Sequence, residues 1–399
     1  MKYQRISGDS HLEVPAGRWT HRVDAKYRDH APRNVTLPDG ADGTVIEDFS
    51  PVQNPMDLYG GKGRDIWHPF GQTYASTPGT GLPEQRLAEQ TQDGLDAEVL
   101  FPAVVCGPRL WSRVKDLDAR KAIFRGWNDW LAEEYCAVSP DRLIGVAALP
   151  TTGVDDAVAE LVHARDLGLK AAVLARFPNG GARPLPEDDK FWAAAVEMDF
   201  PVSIHVDLDR SPDPNGRLLD YPIEHEVLNH TELAFQVQRF ARAGGVNVVQ
   251  LVLSGLFDRF PTLQIDMAEN CIGWVPFFLE MADVRYKRHI YWSEQFVGFK
   301  PLKQLPSEYI TQHFYWGFQV DRSGVELRHW MGVDKLIWAA DFPHQESDWP
   351  DSDEVIEHNF HGLPEDEVYK MVAGNAIRFF HLNAEDTASP ADMAGQAAT

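Results

Sequence analysis

Short, almost uninterrupted apolar runs alternate with amphipathic stretches along most of this chain, and few folds accept that alternation. Leu143–Leu149, Lys170–Leu174, Phe200–His205, Leu263–Glu269 and Lys335–Asp341 read as strands that are apolar on both faces. Tyr3–Gly8 and Ala97–Pro102 fit the same pattern, and Gln250–Gly255 reads as a further short strand or a helix end. Between them, Pro83–Asp93, Asp118–Val138, Asp155–Leu167, Asp188–Met198, Glu232–Arg242 and Trp274–Tyr286 have helical character, most clearly where an apolar stripe repeats with helical spacing. Strands buried on both faces and joined by helices make a parallel sheet. Counting starts at Tyr3, Ala97, Leu143, Lys170, Phe200, Gln250, Leu263 and Lys335 gives about eight units, the number that closes an α/β barrel of the (β/α)8 TIM type. An open doubly wound sheet is the alternative, but no Gly-x-Gly-x-x-Gly follows the first strand. Closing helices are expected at Glu365–Val372 and Gly374–Phe380.

Residues 14–82 break the rhythm. Pro, Gly and Asp recur there, as in Leu37-Pro38-Asp39-Gly40 and Thr77-Pro78-Gly79, among aromatics such as Tyr59 and Trp67. A connection this long inside a compact domain is usually functional. It is expected to be an irregular insertion covering the site, with a small β element near Asn34–Phe49. Residues 1–383 are expected to form one domain, and the small, polar residues 384–399 a flexible tail.

Charge and cysteine content narrow the function. The 399 residues carry a net charge of -23, which argues against nucleic acid as a partner, since phosphate binding needs a basic face. Cys106, Cys136 and Cys271 give no disulfide framework and no Cys-x-x-Cys site. The N-terminal residues lack an apolar signal core, and no run nears the ~20 apolar residues that span a bilayer. A cytoplasmic protein with no membrane partner is expected. Aromatics between Ile290 and Val320 (Trp292, Phe296, Phe299, Tyr309, Phe314, Tyr315, Trp316) suggest the interface of a homodimer or higher homo-oligomer, with core or lid as the alternative.

The polar residues fall at one end of the strands, where barrels of this kind keep their active sites. Asp9 and His11 close the first strand and, two apart, point to the same side. His205 closes the fifth, Glu269-Asn270 the seventh and Asp341 the eighth in this count. One such residue reads as a turn cap; several at one barrel end read as a site. Asp9, His11, His205 and Asp341 offer mixed nitrogen and oxygen donors for one divalent metal, Zn2+ first, with Mn2+ or Fe2+ open. Other residues have two readings. Glu13 is a further ligand or an exposed carboxylate. His225 and His230 flank the start of the helix after strand five and reach the site or not. His344 touches substrate or hydrogen-bonds a loop. Arg86 binds an acidic substrate group or forms a surface salt bridge, and Asp258 with Arg259 forms a structural pair.

The chain resembles the amidohydrolase superfamily, and within it the aminocarboxymuconate-semialdehyde decarboxylase-like branch called amidohydrolase family 2. The resemblance runs from about Ile6 to Leu382. It rests on Phe257-Asp258-Arg259-Phe260-Pro261-Thr262-Leu263 leading into Ala268-Glu269-Asn270, on Gly273-Trp274-Val275-Pro276-Phe277, on Ala340-Asp341-Phe342-Pro343-His344 before Trp349-Pro350, and on Gly374-Asn375-Ala376-Ile377-Arg378-Phe379-Phe380. It implies a mononuclear metal site in which Asp9-x-His11 stands for the first-strand His-x-His motif, His205 for the fifth-strand ligand and Asp341 for the eighth-strand Asp. Decarboxylases of this branch usually place a His after the seventh strand, where this chain reads Glu269.

That departure turns the expectation to metal-dependent hydrolysis of a small cyclic or aromatic-derived compound. Asp341 would take a proton from a metal-activated water. Glu269 and His205 join it as catalytic candidates, and His344, His230 and Asn270 as substrate-binding ones. The alternative is non-oxidative decarboxylation of an aromatic or unsaturated carboxylic acid, and a third reading is a non-catalytic binding barrel.

Overall fold

The computed structural model describes residues 2–53, 68, 70–104, 106–208 and 243–383. Eleven strands are found among them: β1 (Ile6–Leu12), β2 (Arg33–Thr36), β3 (Asp42–Val45), β4 (Val52–Gln53), β5 (Ala97–Pro102), β6 (Leu143–Ala148), β7 (Ala171–Leu174), β8 (Val202–His205), β9 (Ile265–Ala268), β10 (Phe314–Phe318) and β11 (Leu336–Trp338). Eight form a single sheet in the order β1-β5-β6-β7-β8-β9-β10-β11, and every recorded pairing in it is parallel. The fold is a (β/α)8 barrel. The seam lies just beyond β11, where the Asp341 amide donates to the Asp9 carbonyl at 2.9 Å and the His11 amide to the Phe342 carbonyl at 2.8 Å. Thus the two ends of the sheet are joined through the residues that carry the candidate ligands.

Side chains alternate along each strand as the period of two requires. Ile6, Val99, Ile144, Val146, Val173 and Ile337 share one apolar cluster, which also takes in Phe379, Phe380 and Leu382 from the chain's last described turn. Leu100, Leu143, Val202, Ile204, Ile265 and Met267 belong instead to the larger cluster that includes the helices. Fully burying each such side chain contributes roughly 1.5–3 kcal/mol. β1 carries one extra residue relative to β5, since Ser7 pairs with Glu98 and Ser10 with Leu100. Within that bulge Gly8 is required by space: a Cβ there would lie 2.2 Å from Ile337 Cγ2.

Two strand assignments change. Gln250–Gly255 is no strand; it lies in and just past the helix Ala243–Leu253. The missing strand is β10, Phe-Tyr-Trp-Gly-Phe, a run read as interface with core or lid as the alternative. Phe314, Tyr315, Trp316 and Tyr309 are therefore core residues, whereas Trp292 and Phe296 are exposed. The barrel has eight strands all the same, because β10 takes the place of Gln250–Gly255. Glu269 accordingly follows the sixth barrel strand, not the seventh.

Most helices sit where the apolar stripes place them. Asp118–Val138 is helical almost throughout, as Leu117–Trp130 followed by π and 3-10 turns. The helix expected to end near Tyr286 runs on as Val275–Val297. The β element near Asn34–Phe49 is a three-stranded antiparallel sheet, β2-β3-β4. The described part of the insertion docks on the loop after β11: Gly79 packs so closely against Pro343 that a Cβ would come within 2.5 Å of it. The helix expected at Glu232–Arg242 and the tail 384–399 lie outside the described residues.

Candidate metal centre

The strand ends deliver four side chains to one point. His11 Nε2 lies 3.4 Å from Asp9 Oδ1, 3.4 Å from Asp341 Oδ1 and 2.9 Å from His205 Nε2. His205 Nε2 lies 3.3 Å from Asp9 Oδ2 and 3.4 Å from Glu269 Oε2. The ligand atoms of Asp9, His11 and His205 all fall within 4.8 Å of one another, as do those of His11, Asp341 and His344. The backbone is left-handed immediately after or at these ends, at Val206 (φ 60), Glu269 (φ 53) and Asp341 (φ 50). Such angles are uncommon for non-glycine residues and collect at functional sites.

The donor set fits a divalent cation on its own chemistry. Both Asp9 oxygens and Asp341 Oδ2 are buried without a hydrogen-bond partner, an expensive state for a carboxylate. His11 directs Nδ1 at the Pro102 carbonyl, 3.1 Å away. If that nitrogen carries the proton, the Nε2 lone pair faces the cluster, the arrangement common in metal-binding histidines. The Nε2 atoms of His11 and His205 and the carboxylates of Asp9 and Asp341 then converge as a mixed nitrogen and oxygen donor set.

Burial dominates the electrostatics. It raises Asp341 to about 7, helped by nearby Glu269 and Asp9 and opposed by His344. It raises Asp9 as well, against His205. Burial, with the charges of His344 and His205, pulls His11 down. His205 is pulled the same way by burial, but Asp9 and Glu269 outweigh it and raise the imidazole.

The other candidates divide. His344 joins the cluster: Nδ1 is 3.1 Å from Asp341 Oδ1, Nε2 is 3.1 Å from Glu13 Oε1, and its ring stacks on that of His11 at 4.1 Å. Glu13 is 2% exposed and accepts from the Val104 amide, so it is neither an exposed carboxylate nor part of the metal clusters. Asn270 is buried, and its amide nitrogen donates to the Val206 and Ala268 carbonyls at 3.2 and 2.9 Å, tying β8 to β9. His225 and His230 lie outside the described residues. Arg86 is fully buried and binds no surface partner. It grips Glu98 through two nitrogens at 2.7 and 2.9 Å and donates to the carbonyls of His11 and Phe342. Arg259 pairs with Asp189, and Asp258 accepts from the Tyr309 hydroxyl, so those two neighbours do not pair with each other.

A cleft of about 290 Å³ opens onto His11 and His205. Its walls include Phe101, Val173 and Thr151, with Arg109, Arg113, Arg176 and Asp207 among the lining residues. None of these is apparent from residue type alone. Position would have flagged Arg176 and Asp207, each two residues beyond the end of its strand.

Comparison with known proteins fixes the context. An amidohydrolase of Mycobacterium avium subsp. paratuberculosis K-10 superposes with a TM-score of 0.72 at 20% identity, covering 95% of this chain and 100% of that one. The 5-carboxyvanillate decarboxylase of Novosphingobium aromaticivorans, solved with manganese and 3-methoxy-4-hydroxy-5-nitrobenzoic acid, gives 0.66 at 20% identity over 95% of this chain and 97% of that one. In sequence, the chain is 29% identical over 326 residues to the gamma-resorcylate decarboxylase of Rhizobium sp. (strain MTP-10005), 76% of this chain and 88% of the relative. These relatives overturn the hydrolase expected from the sequence: that expectation rests on Glu269 standing where decarboxylases place a His after the seventh strand, but Glu269 follows the sixth, and the curated relatives that align across most of the chain are decarboxylases. The amidohydrolase family model matches residues 19–382, and the chain, an enzyme, belongs to that family.

Proposed function

We propose that the protein is a metal-dependent, non-oxidative decarboxylase of a small aromatic carboxylic acid. The observation that carries this is the convergence of Asp9, His11, His205 and Asp341, with bare buried carboxylate oxygens, at the foot of a cleft lined by Phe101. The decarboxylase relatives support the reaction class.

A divalent ion bound there would supply positive charge to orient the substrate's carboxylate and draw electron density from the ring. The sequence points to zinc first. The mixed set of two carboxylates and two imidazoles suits manganese as well, and manganese is the ion held by the 5-carboxyvanillate decarboxylase, so we take manganese as the working ion.

The protein's own residues do the rest. Phe101, whose ring lies 5.4 Å from that of His205, offers an apolar face to an aromatic ring. Asp341, fully buried and 3.1 Å from the His344 ring nitrogen, carries a proton at this centre. It delivers that proton to the ring carbon as the bond to the carboxylate breaks and carbon dioxide leaves. His344, 3.1 Å from Asp341 and 3.1 Å from Glu13, returns a proton to it. Glu269 keeps His205 in place and adds negative charge that disfavours ionised Asp341. We further propose one domain over residues 1–383 with the 14–82 insertion as cover, and a homodimer through the exposed Phe277, Tyr291 and Phe296 of the long helix. Light scattering at the 45.0 kDa chain mass alone would exclude the dimer.

The test is turnover of manganese-loaded protein on 2,6-dihydroxybenzoate and 5-carboxyvanillate in D2O. Expected are carbon dioxide and a product with one deuterium on the former carboxyl-bearing carbon. A product carrying oxygen from water would sink the proposal.

A further inference from the structure

We propose that the hollow between the helices Ala243–Leu253, Val275–Val297 and Pro306–His313 binds a medium-chain aliphatic carboxylic acid, with Arg285 and His289 holding the carboxylate at its mouth. The hollow shares no lining residue with the metal-centre cleft and does not depend on the reaction proposed there. Phe277, Tyr291 and Phe296, the residues of the proposed dimer surface, do not line it either.

The long helix sets the shape. Phe278, Ala282, Arg285, His289 and Trp292 follow one another at steps of four or three residues, so they lie along one face of Val275–Val297. All five line the hollow, and Val252 and Ile310 close it from the neighbouring helices. Its volume is about 440 Å³, the size of a small-molecule pocket. Phe278 lies seven residues before Arg285, roughly 10 Å of helix. The apolar part is therefore a trough, and an extended chain fits it. Such a chain gains by leaving water, because apolar walls offer water few partners.

The walls are in place before a ligand arrives. Gly298 ends the long helix in a left-handed turn (φ 66), and Phe299 beyond it joins the lining. The Leu302 amide donates to the Tyr286 hydroxyl at 2.8 Å. Asp283 accepts from the amide and the hydroxyl of Ser307 at 2.9 and 2.8 Å, which ties the third helix to the first turns of the long one. A preformed site costs less to occupy than one that must order itself.

The mouth carries the charge. Asp283 is committed to Ser307, and Asp258 accepts from the Tyr309 hydroxyl. Arg285 forms no ion pair among the described residues. His289 accepts at Nδ1 from the Trp292 indole N–H, 2.8 Å away. A neutral imidazole that accepts at Nδ1 carries its proton on Nε2, so the ring presents a second donor one turn from Arg285. Both residues are exposed, as a rim requires. The chain as a whole has a net charge of -23, yet residues 285–303 hold five Arg or Lys against the single Glu294. A local field of that sign favours an anion where the rest of the surface repels one. The planar guanidinium fork matches a carboxylate, and the trough takes the chain behind it.

The experiment is calorimetric titration of manganese-loaded protein with octanoate, octanol and acetate, with melting temperatures recorded for every variant. Octanoate is expected to saturate near one per chain and to bind wild type more tightly than octanol or acetate. Arg285→Gln should weaken octanoate ~10- to 100-fold, the worth of a charged hydrogen bond, and leave octanol unchanged. Ala282→Trp, which fills the trough, should abolish binding of both. Saturating 2,6-dihydroxybenzoate should not displace octanoate. No saturable binding to wild type, displacement by the aromatic acid, or equal octanoate affinity in wild type and Arg285→Gln overturns the site. If Ala282→Trp fails to fold, Arg285→Gln decides alone, because its side chain is exposed. No turnover enters the measurement, so failure of the decarboxylase proposal leaves this outcome unchanged.

Discussion

His11 and His205 face each other Nε2 to Nε2 at 2.9 Å, although 194 residues separate them in the chain. Neither lone pair can satisfy the other without a proton between them, and both are flanked by carboxylate oxygens that accept no hydrogen bond. A cation resolves all of these contacts at once. We therefore expect about one divalent ion per chain in protein prepared without chelator, measured by elemental analysis. Removing it should abolish turnover and lower the melting temperature, since a ligand that binds only the folded state stabilises it by mass action. Asp9→Asn should lower metal content as well as rate. Full activity in metal-free protein would refute the assignment.

Glu269 ends β9 in a left-handed turn, with its carboxylate 3.4 Å from His205. Glu269→Gln keeps shape and hydrogen bonding but removes the charge. Turnover should fall roughly 10²- to 10⁴-fold, the range for a positioned acid or base, while metal content and folding stay near wild type. A variant with a lowered melting temperature and undiminished turnover per folded molecule would make Glu269 structural.

Arg86 fastens the site from behind. It spans Glu98 on β5, the His11 carbonyl on β1 and the Phe342 carbonyl beyond β11, all buried. Arg86→Met leaves the Glu98 carboxylate buried and unpaired, which costs about 3–5 kcal/mol. Denaturant titration should show that loss. A change under ~1 kcal/mol, small against that range, would mean that Glu98 simply takes up a proton or reaches water.

What the sequence revealed follows from what each feature depends on. Asp9, His11, His205 and Asp341 were legible because strand parity and the barrel rule together place strand-end residues on one rim. β10 was not, because Phe-Tyr-Trp-Gly-Phe carries no contrast between its faces when both are buried, while Gln250–Gly255 is apolar enough to pass for a strand inside a helix. Glu13, His344 and Arg86 needed tertiary knowledge. Their partners lie 331 and 12 residues away, across loops whose course no local pattern fixes. Arg109, Arg113 and Arg176 look like surface cations until the loops after β5 and β7 fold over one cleft.

Asp266 tests the barrel interior directly. It sits on β9 two residues below Ala268, 2% exposed, and its carboxylate accepts from the Ser203 hydroxyl on β8 at 2.9 Å. Burial raises its pKa from 3.8 to about 8, with the charge of Asp9 adding to the rise and Ser203 opposing it. In the unfolded chain the same group ionises near 3.8, so the folded state holds the proton more tightly between those values. The stabilisation is fully present below pH 3.8 and is lost progressively as pH rises through about 8. Between those limits, each step of one in pH removes at most about 1.4 kcal/mol. Asp266→Asn preserves the bond from Ser203 and cannot ionise. Melting curves between about pH 5 and 9 should show wild-type stability falling with rising pH more steeply than that of the variant, the difference levelling off above the folded-state pKa. Parallel curves would mean that the carboxyl is already ionised in the fold, held by a charge or water that reaches β9 from the metal centre above it.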